Sequence, residues 1–410
     1  QGIYLNINAN DLTELDDITR TINRICRKHL IICDVLTHQQ ERGLAGILPL
    51  AYNKAGIKRI LLTDSTAVFM PFSALNIYHK GGFFYGNNQV TNSLVVFNRK
   101  LLKNPNGFIL GIPGSGKSLA GKLEVIDVLE LTDDDVIIVD PEREFLSLSE
   151  KYAGEDIYIS ANSQTHLNPM DVSKDYSDVD DPIQLKSDFI LSICQTIKGN
   201  LTATEKTIID RCVKLSYKEF VENDWNQEYI PDFNIFYEIV KNQPEREAQD
   251  IALAIELYTK GSLNAFSNKS NVTLRNRLTL FDTKDLGKNL KKLGILVTLD
   301  TIWNRVCQNR DKGKFTWIYT DEFYLLFDDK DDGEESYSAN YYYELYKRAR
   351  KWGGIPTGIT QNIEDILQSR KARTMLSNSQ FLLLFDQAPS DRLEIQKLFN
   401  LSDTQLGYVT

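Results

Sequence analysis

The stretch Gly111-Ile112-Pro113-Gly114-Ser115-Gly116-Lys117-Ser118 decides how the rest of the chain is interpreted. It fits the phosphate-binding pattern G-x-x-x-x-G-K-[S/T] at each fixed position. Its glycines let the backbone turn tightly and point successive N–H groups at phosphate oxygens. Lys117 supplies positive charge for the outer phosphates, and the Ser118 hydroxyl is a ligand for Mg²⁺. The pattern predicts a nucleoside triphosphate site with the candidate residues Gly111, Pro113, Gly114, Ser115, Gly116, Lys117, Ser118 and Leu119.

The residues on either side of this loop fit a strand followed by a helix. Residues 107–110 form a short apolar run, which predicts a buried strand. After the loop, apolar side chains recur at helical spacing at Leu119, Leu123, Ile126 and Leu129. A short pattern can match by chance, but strand, loop and helix here follow in the order that phosphate binding requires. The flanks therefore favour a real phosphate loop.

Composition bounds the class of protein. The chain has 410 residues, of which 42% are hydrophobic and 25% charged, so it can bury a large core and build two or three domains. A net charge of −9 and a pI near 5.2 argue against a protein that wraps nucleic acid over its whole surface. A local basic patch is still allowed. The densest positive run, residues 347–351, fits either a solvated helix end or a functional patch.

Five scattered cysteines without a C-x-x-C pair indicate neither a zinc site nor a disulfide framework, which favours a reducing compartment. No apolar run reaches the roughly 18 residues of a spanning helix, and no signal-peptide pattern opens the chain. Because the sequence starts at Gln1 and stops within an expected helix at residues 406–410, we interpret it as a fragment.

Strands and helices alternate around the phosphate loop, which favours an α/β fold with a mainly parallel sheet covered on both faces. The strand candidates are residues 30–36, 59–63, 83–86, 94–98, 107–110, 136–139, 157–160, 294–299, 315–320, 354–360 and 381–385. Helices are expected at residues 11–29, 119–129, 182–197, 202–221, 234–240 and 245–258. Residues 202–205 (Thr-Ala-Thr-Glu) fit a capping box at the start of one of these helices.

The same pattern predicts four parts along the chain. Residues 1–58 form the tail of an upstream domain, and residues 59–180 form the first part of the core with a β-rich lead-in. Residues 181–290 form an inserted all-helical subdomain, because helical patterns follow one another there without a strand. Residues 291–410 return to alternating strands and helices and complete the core.

Phosphate chemistry needs a carboxylate at the end of a buried strand to hold Mg²⁺ through water. Three expected strands end in aspartate, at Asp140, Asp300 and Asp321, but only Asp321 is followed directly by a second acid, Glu322. Hydrolysis also needs a base that orients or deprotonates the attacking water. We therefore assign Asp321 to the metal and Glu322 to the water. The alternative is a strand that ends in acids at a solvated edge.

Two further side chains are candidates for the same site. Gln361 follows the strand expected at residues 354–360, and parallel strands end at one edge, so its amide can reach the γ-phosphate or the water. Arg350 lies in the helix expected before that strand and is a candidate cation for a neighbouring subunit's transition state.

Together these residues resemble the large cytoplasmic ATPase of conjugative type IV secretion systems, the CagE/TrbE/VirB family in the HerA/FtsK-like branch of RecA-type motors. The matching segments are residues 43–50 and 59–64, Pro71-Phe72, Tyr85-Gly86-Asn87, the phosphate loop, residues 140–144, Asp321-Glu322, residues 347–354 and Thr360-Gln361. They follow the family's order over most of the chain. The resemblance implies a RecA-like P-loop NTPase core with an inserted all-helical subdomain, and it corresponds to the C-terminal part of the family's chain.

The resemblance also implies roles for individual residues. It implies that Lys117 and Ser118 hold phosphate and Mg²⁺, that Asp321 holds the metal through water, and that Glu322 acts on the attacking water. It also implies that Gln361 senses the γ-phosphate and that Asp140 and Glu144 line the pocket. One of Arg348, Arg350 or Arg370 would act across a subunit boundary. The family's non-catalytic N-terminal domain is represented at most by residues 1–50.

The implied function is an ATPase, with ATP and Mg²⁺, that energises conjugative DNA or protein transfer and pilus assembly. It is expected in the cytoplasm, peripheral at the inner face of the cell membrane. Expected partners are membrane-complex subunits, the coupling protein and further copies of the chain in a homo-oligomer such as a hexamer. The alternatives are a DNA-translocating motor, which the acidic charge disfavours, and an ATP-binding assembly scaffold, which Glu322 disfavours.

Overall fold

The computed structural model describes residues 4–48, 76–160, 163–176, 181–272, 274–326, 330–331, 334–335, 337–361 and 363–409. The chain divides into two compact units, residues 1–76 and residues 77–410. The strand expected at residues 59–63, the segments 49–50 and 59–64 and the pair Pro71-Phe72 lie outside the described residues. No described helix is long and apolar enough to cross a membrane.

The described residues of the first unit form two helices, α1 (Leu12–Lys28) and α2 (Gln40–Ile47). The side chain of Asp11 caps α1 by accepting the N–H of Glu14 at 2.8 Å, so the expected helix is confirmed. The strand expected at residues 30–36 is wrong, because this segment pairs with no strand among the described residues. Instead the N–H of Ile31 returns to the carbonyl of Cys26 at 2.9 Å and ends the helix.

The second unit is built on a parallel sheet. The described strands of the unit are β1 (Phe83–Asn87), β2 (Leu94–Phe97), β3 (Gly107–Leu110), β4 (Asp135–Asp140), β5 (Glu155–Tyr158), β6 (Leu278–Asp282), β7 (Thr316–Thr320), β8 (Lys330–Asp331), β9 (Glu334–Glu335), β10 (Gly354–Thr360) and β11 (Phe381–Leu384). Two pairs of strands lie outside the parallel sheet: β1 and β2 form an N-terminal hairpin, and β8 and β9 form a short antiparallel pair. Within the described part of the chain, seven strands form the main sheet in the order β11-β3-β10-β7-β4-β6-β5. Every pairing in it is parallel. The expected parallel α/β architecture is confirmed.

The helices of the second unit lie on both faces of this sheet or pack on other helices. They are α3 (Lys117–Leu131), α4 (Leu146–Lys151), α5 (Pro182–Lys198), α6 (Ala203–Ser216), α7 (Lys218–Glu222), α8 (Phe233–Lys241), α9 (Arg246–Thr259), α10 (Lys288–Asp311), α11 (Tyr337–Ala349), α12 (Ile363–Gln368), α13 (Arg370–Asn378), α14 (Pro389–Phe399) and α15 (Asp403–Leu406). Successive strand residues alternate between two apolar cores: Ile109 packs with α3 and α4, whereas Phe108 and Leu110 pack with the larger helical layer. Both faces of the strands are therefore buried, as parallel sheets require.

The segment between β5 and β6 is helical, from α5 to α9. The expected capping box is present: the Thr202 side chain accepts the N–H of Glu205, and the Glu205 carboxylate accepts the N–H of Thr202. The bounds of the four predicted domains stay a prediction.

Two assignments in the second unit were wrong. Residues 294–299 are not a strand but the middle of α10, so Asp300 lies within a helix and not at a strand end. The strand in this region is β6, all five of whose residues are buried. A short apolar run fits a buried helix as well as a buried strand, which is why periodicity could not separate them. The helix expected at residues 406–410 is also misplaced, since α15 ends at Leu406.

Candidate functional site

The loop from Gly111 to Gly116 joins the carboxyl end of β3 to the first residue of α3. Gly114 and Gly116 have φ angles of 77° and 101°, in the left-handed region that only glycine adopts without strain. A Cβ on Gly111 would lie 2.6 Å from the Ser115 hydroxyl oxygen and 2.7 Å from Cβ of Phe385. Each of the three glycines is therefore required by the local geometry.

The first turn of α3 presents backbone N–H groups to this loop. Gly116 precedes the helix, and no side chain caps it. Helix N-terminal N–H groups without intrahelical acceptors, together with the helix dipole, favour bound anions. Lys117 is 8% exposed, and its ammonium group donates to the carbonyl of Ile112 at 2.9 Å. Burial lowers the pKa of Lys117, while the carboxylates of Glu322, Asp321 and Glu144 oppose that shift.

The opposite wall comes from the carboxyl end of β7. Asp321 is 6% exposed, and its N–H donates to the carbonyl of Val139 at 3.0 Å, which fixes it beside β4. Burial raises the pKa of Asp321 to about 7, and the nearby carboxylates of Glu144, Glu322 and Asp140 add to the shift. This group is crowded by like charge at the edge of the sheet where the phosphate loop lies.

Glu322 adopts a φ of 45°, an unusual backbone conformation for a residue with a side chain. Such strain persists only where the surrounding structure holds it, and it concentrates at functional sites. The Gln361 amide donates to Oε1 of Glu322, while Oε2 is buried and has no hydrogen-bond partner among the described residues. Burial raises the pKa of Glu322, although Gln361 and Lys117 counter the shift. One carboxylate oxygen is thus left to accept a proton or a hydrogen bond.

Two more polar atoms at this edge share that property. In the described part of the chain, the hydroxyls of Ser115 and Thr360 are buried without a hydrogen-bond partner. Buried hydroxyls are normally paired, so two unpaired hydroxyls at one site call for an explanation. A bound polar ligand would supply the missing partners.

Asp140 and Glu144 differ in their surroundings. The carboxylate of Asp140 is fully buried and accepts the backbone N–H groups of Glu142, Glu144 and Phe145 at 3.2, 3.1 and 2.8 Å. Burial raises its pKa, and these hydrogen bonds limit the rise. Asp140 therefore shapes the turn after β4, whereas Glu144 is exposed and near enough to Lys117, Asp321 and Glu322 to perturb all three.

The structure does not bring Arg350 to this site within one chain. Arg350 is exposed in the 3₁₀ turn Arg350–Trp352, directly before β10. That position is at the amino ends of the parallel strands, opposite the phosphate loop. Arg348 and Arg370 are also exposed, and Arg348 lies 3.7 Å from Glu344. A role for Arg350 in hydrolysis therefore requires a second copy of the chain.

Sequence reasoning missed one contact that shapes the loop. The N–H of Ile112 donates to the carbonyl of Asp386, just after β11, at 2.8 Å. Since β11 pairs with β3, the segment directly after β11 supports the phosphate loop from the side. The contact is between backbone atoms, so no side-chain pattern in the sequence could reveal it.

The residues present fit Mg²⁺. The cluster combines the hydroxyl of Ser118 in the first helical turn with the carboxylate of Asp321, and both offer the oxygen ligands that Mg²⁺ prefers. Glu144, Asp321 and Glu322 place several negative charges around one lysine, which a divalent cation would offset. The chemistry of this donor set therefore suits a metal bound together with a polyphosphate.

Comparison with known proteins bears on this assignment. Residues 89–253 match the family model of the TraG P-loop domain. The resemblance predicted from the sequence is confirmed. The matched TraG-type segment includes the phosphate loop, Asp140 and Glu144, and it ends before Asp321, Glu322 and Gln361. No curated protein matches the sequence.

A solved structure supports the fold. The structure of VirB4 of Thermoanaerobacter pseudethanolicus is 22% identical, covers 82% of this chain and 92% of its own, and superimposes with a TM-score of 0.69. The unbound conjugative coupling protein TrwB is 15% identical, with 72% of each chain covered and a TM-score of 0.41. TrwB in complex with a non-hydrolysable GTP analogue is 15% identical, covers 72% of this chain and 74% of its own, and has the same TM-score of 0.41. The VirB4 match and the strand order together show the fold of a RecA-like P-loop NTPase.

Proposed function

We propose that this chain is an ATP hydrolase that energises transfer through a conjugative type IV secretion system, including pilus assembly. The observation that carries the proposal is the carboxylate of Glu322, held by Gln361 beside Lys117 with one buried oxygen unpaired among the described residues. A module that only binds nucleotide has no need of such a base. The TraG-type P-loop match supports the choice of system.

In the proposed mechanism, the N–H groups of the loop and the ammonium of Lys117 bind the phosphates of ATP. Ser118 and Asp321 would hold Mg²⁺, which when bound supplies positive charge for the phosphate oxygens. Glu322 accepts a proton from water as the water oxygen attacks the γ-phosphorus in line. The bond from phosphorus to the bridging oxygen breaks and ADP leaves, while Lys117 and the Gln361 amide stabilise the charge on the γ-phosphate oxygens.

We further propose that the chain acts in a homo-oligomer such as a hexamer, in the cytoplasm at the inner face of the membrane. Membrane-complex subunits and the coupling protein are its proposed partners. The exposed Arg350 at the amino edge of the sheet supports this arrangement, since a positive charge there reaches a phosphate loop only in a neighbouring copy. Residues 1–58, 59–180, 181–290 and 291–410 remain the proposed domains.

Turnover per chain is expected to rise several-fold with protein concentration as oligomers form, and DNA is expected to leave it unchanged. The reason is that each site is completed by its neighbour. Steady-state ATPase activity, measured with and without DNA beside the oligomer size, checks both statements. Constant turnover across the monomer-to-oligomer transition would contradict the shared site. Strong, salt-dependent stimulation by DNA would instead support a DNA-translocating motor.

Arg350→Ala is expected to reduce turnover roughly tenfold or more, because the neighbouring site loses a charge that stabilises its transition state. Lys351→Ala is the matched control, since it removes an adjacent exposed cation. Mixing the Arg350→Ala chain with a Lys117→Ala chain should restore part of the activity, because one intact loop then faces one intact arginine. If the mixture stays inactive, Arg350 does not act across the boundary, and Arg348 and Arg370 are examined in the same way.

A further inference from the structure

A buried ion pair outside the nucleotide site joins Arg99 to Glu124. The guanidinium of Arg99 is fully buried, and its Nη1 donates to both carboxylate oxygens of Glu124 at 3.0 and 2.9 Å. Glu124 is 4% exposed and belongs to α3, seven residues, or about two turns, after Lys117. The carboxylate therefore stands on the helix that carries the phosphate-binding lysine.

Arg99 contacts strands on either side of the phosphate loop. Its Nε and Nη2 donate to the carbonyl of Pro105 just before β3, at 3.2 and 2.8 Å. Nη2 also donates to the hydroxyl of Thr357 on β10 at 2.9 Å, four residues before Gln361. The centroid of the Phe381 ring on β11 lies 4.1 Å from the guanidinium carbon. One side chain thus ties together the starts of two strands and the middle of a third.

Glu124 reaches the strand that ends at the proposed metal and water residues. Its Oε2 accepts the hydroxyl of Tyr319 on β7 at 2.9 Å, and Tyr319 lies two residues before Asp321. Its Oε1 accepts the hydroxyl of Tyr85 in the β1–β2 hairpin at 2.5 Å. Burial and the Glu124 carboxylate raise the pKa of Tyr319 well above its usual range, so this hydroxyl keeps the proton it donates.

The position of this ion pair is informative because buried charges are costly to remove from water. Apolar side chains of similar volume often stabilise a core as well as a buried ion pair does. Unlike apolar packing, a hydrogen-bonded ion pair is directional, because each hydrogen bond fixes a distance and an angle between two elements. Here the bonds run from α3 to β7 and from Arg99 to β10, so they set these elements relative to one another.

We infer that Arg99, Glu124 and Tyr319 are positioning residues that hold Asp321, Glu322 and Gln361 at a fixed placement relative to the phosphate loop. The inference rests on the proposed function for its effect on hydrolysis, but the placement itself is a property of the fold. None of the three belongs to the phosphate loop or to the candidate catalytic residues. They act through α3, β7 and β10.

The test compares two tyrosines that lose only a hydroxyl. Tyr319→Phe removes the hydrogen bond to Glu124 with little change in volume. Tyr176→Phe is the matched control, because Tyr176 is also buried and donates to a carboxylate, Asp300, that is paired with a buried lysine. That second ion pair lies in the helical layer. Tyr319→Phe is expected to lower kcat about tenfold with KM for ATP nearly unchanged, and Tyr176→Phe to leave both within about twofold.

A second readout does not depend on hydrolysis. Backbone amide hydrogen exchange, followed by mass spectrometry on the native chain, should become several-fold faster around residues 319–323 in Tyr319→Phe and stay unchanged there in Tyr176→Phe. If both variants match the native chain in exchange and in kcat, the inference is wrong. If the native chain shows no Lys117-dependent hydrolysis, the proposed function fails, and the exchange data still decide whether Tyr319 positions the end of β7.

Discussion

Glu322→Gln is expected to lower kcat by about 10²- to 10⁴-fold and to leave ATP binding almost unchanged. The substituted amide keeps the size of the native side chain, and its oxygen can still accept the hydrogen bond from Gln361. What the variant loses is the ability to take a proton from water. The expected product is a chain that binds ATP and retains it.

The measurement is single-turnover hydrolysis together with equilibrium binding of ATP. Glu142→Gln serves as the matched control, because Glu142 is exposed and its charge acts on Glu322, so the change in local charge is the same while the base remains. Lys117→Ala provides the contrast, with binding itself weakened. Turnover by Glu322→Gln within about twofold of the native chain would support an ATP-binding scaffold instead.

The parts of the fold that the sequence predicted best are those with local signals. Glycine spacing identified the phosphate loop, and continuous apolar runs identified β3, β4, β7 and β10. One exception lies between α9 and β7, where residues 294–299 belong to α10 and the strand is β6. A helix buried on all sides and a strand buried on both faces carry the same apolar pattern, so only tertiary packing could separate them.

The candidate site likewise combines features that the sequence predicted with features that it could not predict. Placing Asp321, Glu322 and Gln361 after strands of one parallel sheet predicts that they converge, and the structure brings Gln361 to Glu322. The Arg99 contacts could not be foreseen, because they join residues separated by 25 and 258 positions and form only once the sheet is assembled. The strained φ of Glu322 likewise has no sequence signal, since its neighbours impose it.

Asp321→Asn is expected to abolish turnover and, at the same time, to stabilise the chain without nucleotide. Burial and three neighbouring carboxylates raise the pKa of Asp321 to about 7, from about 3.8 in the unfolded chain, so its ionised form is disfavoured by folding. Asparagine keeps the shape and can donate to the neighbouring carboxylates. We expect a stabilisation on the order of 2 kcal/mol at pH 8, below the ceiling of about 4 kcal/mol that the shift allows.

The sign of the pH dependence distinguishes this account from a general packing effect. The folded chain holds the Asp321 proton between about pH 4 and pH 7 while the unfolded chain has lost it, so this group's contribution to stability falls as pH rises through that range. Thermal unfolding should therefore show Asp321→Asn above the native chain at pH 8 and close to it near pH 4. Asp282→Asn, at the end of β6 two strands away from β7, should instead lower the Tm at pH 8, because the native carboxylate pairs with Arg143. A lower Tm for Asp321→Asn at pH 8 would mean that the crowded carboxylates do not destabilise the empty site. Asp321→Asn is thus expected to lose turnover and to gain stability. Both effects follow if the fold places these carboxylates together to bind a cation, at a cost to the stability of the folded chain.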